Sequence, residues 1–374
     1  MRLKFVFLFA LLVVAGMAVQ SRAEACGGLF CQNIPVDQQA ERIIFAVNDN
    51  DTISAYVQIN YTGAAPDFSW VVPVPSVPEV DVAEMETFDE LSRLTAPQFL
   101  PPPTPDCAVV EFETMMEDGG GVVSAMPAGG VEVLASGTAG PFAYDVVTAP
   151  DPNELITWLR TNNYRITEQM EPLVRVYTDE GMVFLAMKLQ PDQGVQDIQP
   201  VVMTYESTRP MIPLRLTAVA ANPNMNVVTW VFAYEQVVPA NYAHPVIPDS
   251  KIRFDFLSFN HNYIQLLDQA VDLYDGRAFV TEYAQPTAVF ERELAPRDPL
   301  LQKLSQDYDY VTRVFGRISP EEMTVDPVFD FDDSRPGVSN VHDLTNFDPE
   351  VVWGCEGQPI PLEFDPSVVP PGWR

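Results

Sequence analysis

The chain has 374 residues, with 52 Asp and Glu against 21 Lys and Arg, so its formal net charge is −31. That balance excludes nucleic acid and anionic lipid as natural partners, because both are gripped by basic footprints. With 47% apolar residues, the chain is no disordered acidic tail and is long enough to bury a sizeable core.

The first element is an export signal. Arg2 and Lys4 precede an uncharged apolar run from Phe5 to Val19, and Ala23-Glu24-Ala25 offers a small-residue cleavage site. This is the layout of a secretory signal peptide. A spanning helix needs about 20 apolar residues, more than this run supplies. A lipoprotein would carry a cysteine directly after cleavage, as Cys26 stands here, but Ala23 occupies the place where a lipobox has leucine. The expectation is a signal peptide over 1–25 and a mature chain that starts at Cys26 with no acyl chain. After cleavage it has no stable membrane span and resides in the periplasm, on the cell surface or outside the cell. Losing Arg2, Lys4, Arg22 and Glu24 leaves 18 basic against 51 acidic residues, a net of −33. Such a charge favours solubility and leaves room for cation binding, although a solvated acidic surface accounts for it equally.

Export sets how Cys26, Cys31, Cys107 and Cys355 are read. They form an even set in an oxidising compartment, where disulfides persist. Zinc and redox pairs usually have two residues between cysteines, whereas Cys26 and Cys31 have four.

Strands come next. "ERIIFAV", the turn "NDND" and "TISAYVQINY" read as an antiparallel hairpin, because Ile53, Ala55, Val57, Ile59 and Tyr61 alternate with polar positions. Phe68 to Val72 adds a third strand, after which Pro73, Pro75 and Pro78 force an extended or edge path. Met85, Phe88 and Leu91 have helical spacing and stop before Pro97. In "DPNELITWLRTNN", Asp151 caps a helix, Pro152 takes its first turn, Glu154 has capping-box spacing, and Leu155, Ile156 and Leu159 line one face. "MVFLAMKL", "PVVMTYES", "PLRLTAVA" and "NVVTWVFAYEQV" read as a second strand series. Helices are expected from about 262 to 274 and from 309 to 317. The tail from Asp326 to Arg374 is rich in proline and acid, with little periodicity. The fold class expected is α+β: mainly antiparallel sheets with a few flanking helices, a β-rich lobe over 26–150, an α+β lobe over 151–325 and an irregular tail over 326–374.

"ACGGLFC", "PVDQQAERIIFAV", "FSWVVPVPSVPEV", "ELITWLRTNNY" and "VTRVFGRISPEEMTVDPVF" together resemble, in the same order, the exported bacterial family catalogued as domain of unknown function 2330. The likeness covers most of residues 25–330. It implies export and carries over no catalytic residues.

The residues themselves offer little chemistry. His244, His261 and His342 are isolated in sequence, with no His-x-x-x-His spacing and no nearby cysteine. No Gly-x-Ser-x-Gly elbow occurs. In "GCEGQ", Cys355 and Gln358 have thioester spacing, but the intervening order is swapped and the setting is polar. Asp330, Asp332 and Asp333, following Asp326, could give a calcium ion some of its six to eight oxygens, yet the glycine and glutamate of an EF-hand loop are missing. A solvated acidic turn is the simpler reading, and calcium is the one cofactor entertained. Trp70, Trp158 and Trp230 occupy strand or helix positions and are expected in the core.

The functional expectation is a non-enzymatic exported binding or structural protein of the cell envelope, whose partner is an envelope protein or glycan. The alternative is an envelope hydrolase whose carboxylates and hydroxyls converge only in the fold. Four cysteines allow three pairings, and each joins Cys355 to Cys26, Cys31 or Cys107. Non-reducing peptide mapping of exported protein should therefore recover the Cys355 peptide linked to one of those three; a free thiol at Cys355 would contradict the framework.

Overall fold

The computed structural model describes residues 38–59, 68–103, 132–164, 166–219, 221–255 and 260–347. The segment expected to be a signal peptide, all four cysteines and the thioester-like segment lie outside the described residues. The strands are β1 (Gln38–Val47), β2 (Thr52–Ile59), β3 (Ser69–Val74), β4 (Glu79–Val82), β5 (Gln98–Leu100), β6 (Glu132–Ala139), β7 (Phe142–Thr148), β8 (Val183–Leu189) and β9 (Val201–Glu206). They continue with β10 (Ala221–Ala233), β11 (Val237–Pro239), β12 (Phe254–Asp255), β13 (Asn260–His261), β14 (Val280–Pro286), β15 (Tyr310–Ile318), β16 (Phe329–Phe331) and β17 (Val341–Asp343). A seven-stranded sheet runs β14-β15-β10-β1-β2-β9-β4, and a four-stranded sheet runs β3-β8-β7-β6. Within them only β1 and β10 pair in parallel. With the helices described below, this is an α+β fold.

The expected hairpin forms, with Ile43 opposite Val57 and Phe45 opposite Ala55. Its alternation is that of a strand with one fully buried face. β3 also forms, but in the other sheet, at its edge and paired with β8, where Pro73 stands opposite Phe184. An edge strand tolerates a residue that cannot donate to a further neighbour. Helix Pro152–Thr161 starts as read, with the Asp151 carboxylate accepting from the Asn153 N–H.

Side-chain parity orders the layers. On the larger sheet Arg42, Trp230, Arg313 and Arg317 share one face, since Trp230 is opposite Arg313 and Asn226 opposite Arg317, while Arg42 is level with Val228. Helices cover that face through polar anchors: Arg42 to Asp89 and Arg313 to the Ser92 carbonyl on helix Met85–Thr95, and Arg317 to Asp268 on helix Tyr263–Asp272. The opposite face, with Ile43, Phe45 and Val57, shares a core with Trp70, Val72, Phe142 and Leu185 of the smaller sheet. The outer face of that smaller sheet, with Val71, Val147, Phe184 and Ala186, packs with Leu155, Trp158, Leu159, Val174 and Tyr177. These last come from helices Pro152–Thr161 and Glu171–Asp179. The order of layers is helix, sheet, sheet, helix.

Several expectations change here. The chain does not divide near residue 150, because β1 lies beside β10 and β7 beside β8, so each sheet takes strands from both sides of that point. Residues 309–317 are not a helix but most of β15. This strand is rich in β-branched and aromatic residues and sits between β14 and β10, buried on both faces, so it shows no period of two. "PLRLTAVA" is not a strand: Leu214–Thr217 is a short helix, and the Asp326 carboxylate accepts the Arg215 N–H at its start, a cap delivered from far along the chain. Two short strands occur within the described part of the tail, residues 326–347. β16 pairs with β11, and β17 pairs in parallel with β5.

One buried charge is left uncompensated. Glu41 on β1 is 7% exposed, and its Oε2 has no hydrogen-bond partner among the described residues. Burial pushes its carboxyl up from 4.5 to about 7. The folded chain therefore binds this proton more tightly than the unfolded chain. The associated stability is complete below about 4.5 and is lost as pH rises through about 7. Glu41→Gln should stabilise the protein at pH 8 by on the order of 3 kcal/mol, and the gain should fade towards pH 4.5. Chemical denaturation at the two pH values checks this; an equal effect at both would contradict it.

Candidate functional site

Among the described residues, titratable side chains gather where β17 meets the helical face. β17 runs beside β5 with His342 directly opposite Phe99, and their rings stack at 5.1 Å and 11°. The short β12–β13 hairpin brings His261 to the same phenylalanine, with ring centroids 3.8 Å apart. Tyr263, the first residue of helix Tyr263–Asp272, turns its edge to Phe99 and lies 5.3 Å from the His342 ring. Asp249, on the one-turn helix Asp249–Lys251, places Oδ1 2.6 Å from His342 Nδ1. Two of the three histidines thus meet on one aromatic ring.

Behind them lies a charge pair in the interior. Arg313 on β15 donates from Nε to Glu282 on β14 at 2.7 Å, with side chains 6% and 1% exposed. Tyr263 donates its hydroxyl to the same carboxylate. Burial raises the Glu282 carboxyl above its ordinary range, while Arg313 and Tyr263 pull it back. Burial, and then the Glu282 charge, holds the Tyr263 hydroxyl well above its ordinary value. Arg313 Nη1 reaches the end of helix Met85–Thr95, donating to the Ser92 carbonyl at 3.2 Å and to Thr95 Oγ1 at 3.3 Å. Trp230 Nε1 donates to the same hydroxyl at 2.8 Å, and Thr95 donates to the Leu91 carbonyl at 2.6 Å. The Arg313 guanidinium also lies 5.3 Å from the centre of the Trp230 ring.

Chemically, Asp249 fixes one nitrogen of His342, which orients the imidazole as a base is oriented in hydrolases. No described hydroxyl or thiol is bonded to the other nitrogen. Glu282, Tyr263 and Arg313 hold one another, so their geometry serves cohesion and positioning.

The residues singled out from sequence lie elsewhere. Asp330 on β16 pairs with Arg209 at 2.5 Å, and Asp332 accepts from Arg335 at 2.8 Å and from Ser334. These bonds, the one from Arg335 first, hold the Asp332 carboxyl below its ordinary value. Asp333 is exposed. Asp330 and Asp332 take separate partners, and no three His, Cys, Asp or Glu side chains gather for a metal among the described residues. Asp326 is buried: it accepts from Tyr177 at 2.9 Å and from the Arg215 guanidinium, whose far side takes both oxygens of Glu180. Trp70, Trp158 and Trp230 are core residues, as read from sequence.

A second grouping faces solvent at the carboxyl ends of the parallel neighbours β1 and β10. Tyr234, 39% exposed, lies 5.6 Å from the ring of Tyr308, whose hydroxyl donates to Asn48 Oδ1. Burial, and then the charges of Asp49, Asp307 and Asp309, raise the Tyr234 hydroxyl.

Sequence reading missed the histidine grouping because Asp249, His261 and His342 are scattered along the chain. The alternation of Asn340, His342 and Leu344 with outward Val341 and Asp343 was the available signal. Thr95→Val should cost about 1–3 kcal/mol, because it leaves the buried Trp230 N–H and one Arg313 donor without an acceptor. Thr95→Ser should restore most of that loss. Urea unfolding of the two variants checks this, and equal stabilities would contradict it.

A search of curated proteins and a search of solved structures each return no match. No described helix is long and apolar enough to cross a membrane. The family model for an uncharacterized protein conserved in bacteria, domain of unknown function 2330, matches residues 20–330. The chain belongs to that family.

Proposed function

We propose that this protein is an exported, non-enzymatic binding protein of the bacterial cell envelope. It engages an envelope glycan through the tyrosine-lined end of its larger sheet. The observation that carries the reading is the exposed Tyr234 ring set against Tyr308 and rimmed by Asp49 and Asp309. An aromatic face offers a sugar ring an apolar platform with a polar handle, and free carboxylates accept from its hydroxyls. The export signal over 1–25 and the strongly acidic mature chain support residence outside the cytoplasm. The expected disulfides suit that compartment.

A hydrolytic reading is favoured by one contact, Asp249 on His342 Nδ1. In that case His342→Gln would abolish a turnover that Tyr234→Ala leaves intact.

Cosedimentation of the mature chain with purified, protein-free envelope glycan tests the binding reading. Tyr234→Ala should weaken binding about fivefold or more, as expected for loss of one aromatic anchor. Binding that survives this change undiminished would contradict the assignment. Binding confined to protein-containing envelope would point to a protein partner instead.

A further inference from the structure

The segment after β16 is a strap laid across the helical face. Val338 exchanges two backbone hydrogen bonds with Ala284, Asn340 donates to the Leu94 and Ala96 carbonyls, and the Leu344 N–H donates to the Leu100 carbonyl. Asn340, His342 and Leu344 point inward and are buried. Of these three, only His342 has an ionisable side chain. It is also the one that meets a second imidazole on a shared ring.

We infer that residues 338–344 form a proton-operated latch, which closes over Phe99 and loosens when His261 is protonated beside that ring. The reason is a count of countercharges. Asp249 faces His342 and can neutralise one imidazolium. Glu282, whose charge reaches His342, is already engaged by Arg313 and Tyr263. A proton on His261 therefore adds positive charge beside Phe99 with no carboxylate bonded to it among the described residues. Burial, and then the charge of His342, already holds the His261 imidazole below its ordinary value of 6.5. For such a group the sign is fixed: the closed state is fully favoured above about 6.5 and loses stability as pH falls below it. Opening removes His342 from Phe99 and exposes His261, while Glu282 stays on Arg313 and Tyr263. Lys251 and Arg253 are the basic residues that border the Asp249 turn.

Hydrogen exchange of the strap amides, corrected for the intrinsic pH dependence of exchange, tests the latch on the whole mature chain. Between pH 7.5 and 5 the amides of Val338 and Leu344 should lose protection, by about tenfold for each unit that closure depresses the His261 value. His261→Asn should abolish that acid response while keeping the protection seen at pH 7.5. His342→Asn should weaken protection at every pH. An acid response unchanged in His261→Asn, or a wild-type strap equally protected at both pH values, would overturn the proposal. Amides of β1 report global unfolding in the same experiment and separate it from opening of the strap.

Discussion

The helical side of this protein is organised around a buried ion pair. Arg313 and Glu282 sit on neighbouring strands of the larger sheet, nearly sealed from water. Two charges in such a place are tolerable only when every remaining donor and acceptor is used. The surrounding residues supply several of these partners. Ser92 and Thr95 come from one helix, Tyr263 from another, and Trp230 closes one side of the guanidinium. Both helices are thereby fixed relative to the sheet by directional bonds, where apolar packing alone would leave sliding cheap. The C-terminal strap then finds a prepared bed, since Phe99 follows the first helix and Tyr263 starts the second.

The opposite side of the molecule uses the same device once more. Asp326 is buried against Tyr177, Arg215 and the start of a short helix, so a carboxylate from the acidic segment becomes a peg between the two layers. Its burial raises the carboxyl while the bonds from Arg215 lower it. A strongly acidic chain thus places two of its carboxylates, Glu282 and Asp326, inside and gives each an arginine. Glu41 has none, and its proton affinity is displaced accordingly.

The α+β class, the first hairpin and the two helices opening near Met85 and Pro152 were legible from local signals alone: strict alternation, a turn between strands, and an Asp-Pro start. Strand β15 was not legible, because a central strand covered on both faces carries no period, and its polar Thr312 and Arg313 mimic a helical pattern. The short helix at Leu214 was illegible for a different reason, since its cap, Asp326, lies more than a hundred residues away. The acidic run that suggested calcium was visible as composition, but its partners Arg209, Arg335 and Arg215 were not. The grouping of His261, His342 and Asp249 required the strap to be placed first.

The account stands or falls on whether Arg313 and Glu282 act as one unit. A double-mutant cycle with Glu282→Leu and Arg313→Met, followed by denaturant unfolding, measures this. Each single change should cost about 3–5 kcal/mol, because it strands the opposite buried charge, and the double variant should recover most of that loss. Single costs that simply add in the double variant would contradict the central role given to the pair.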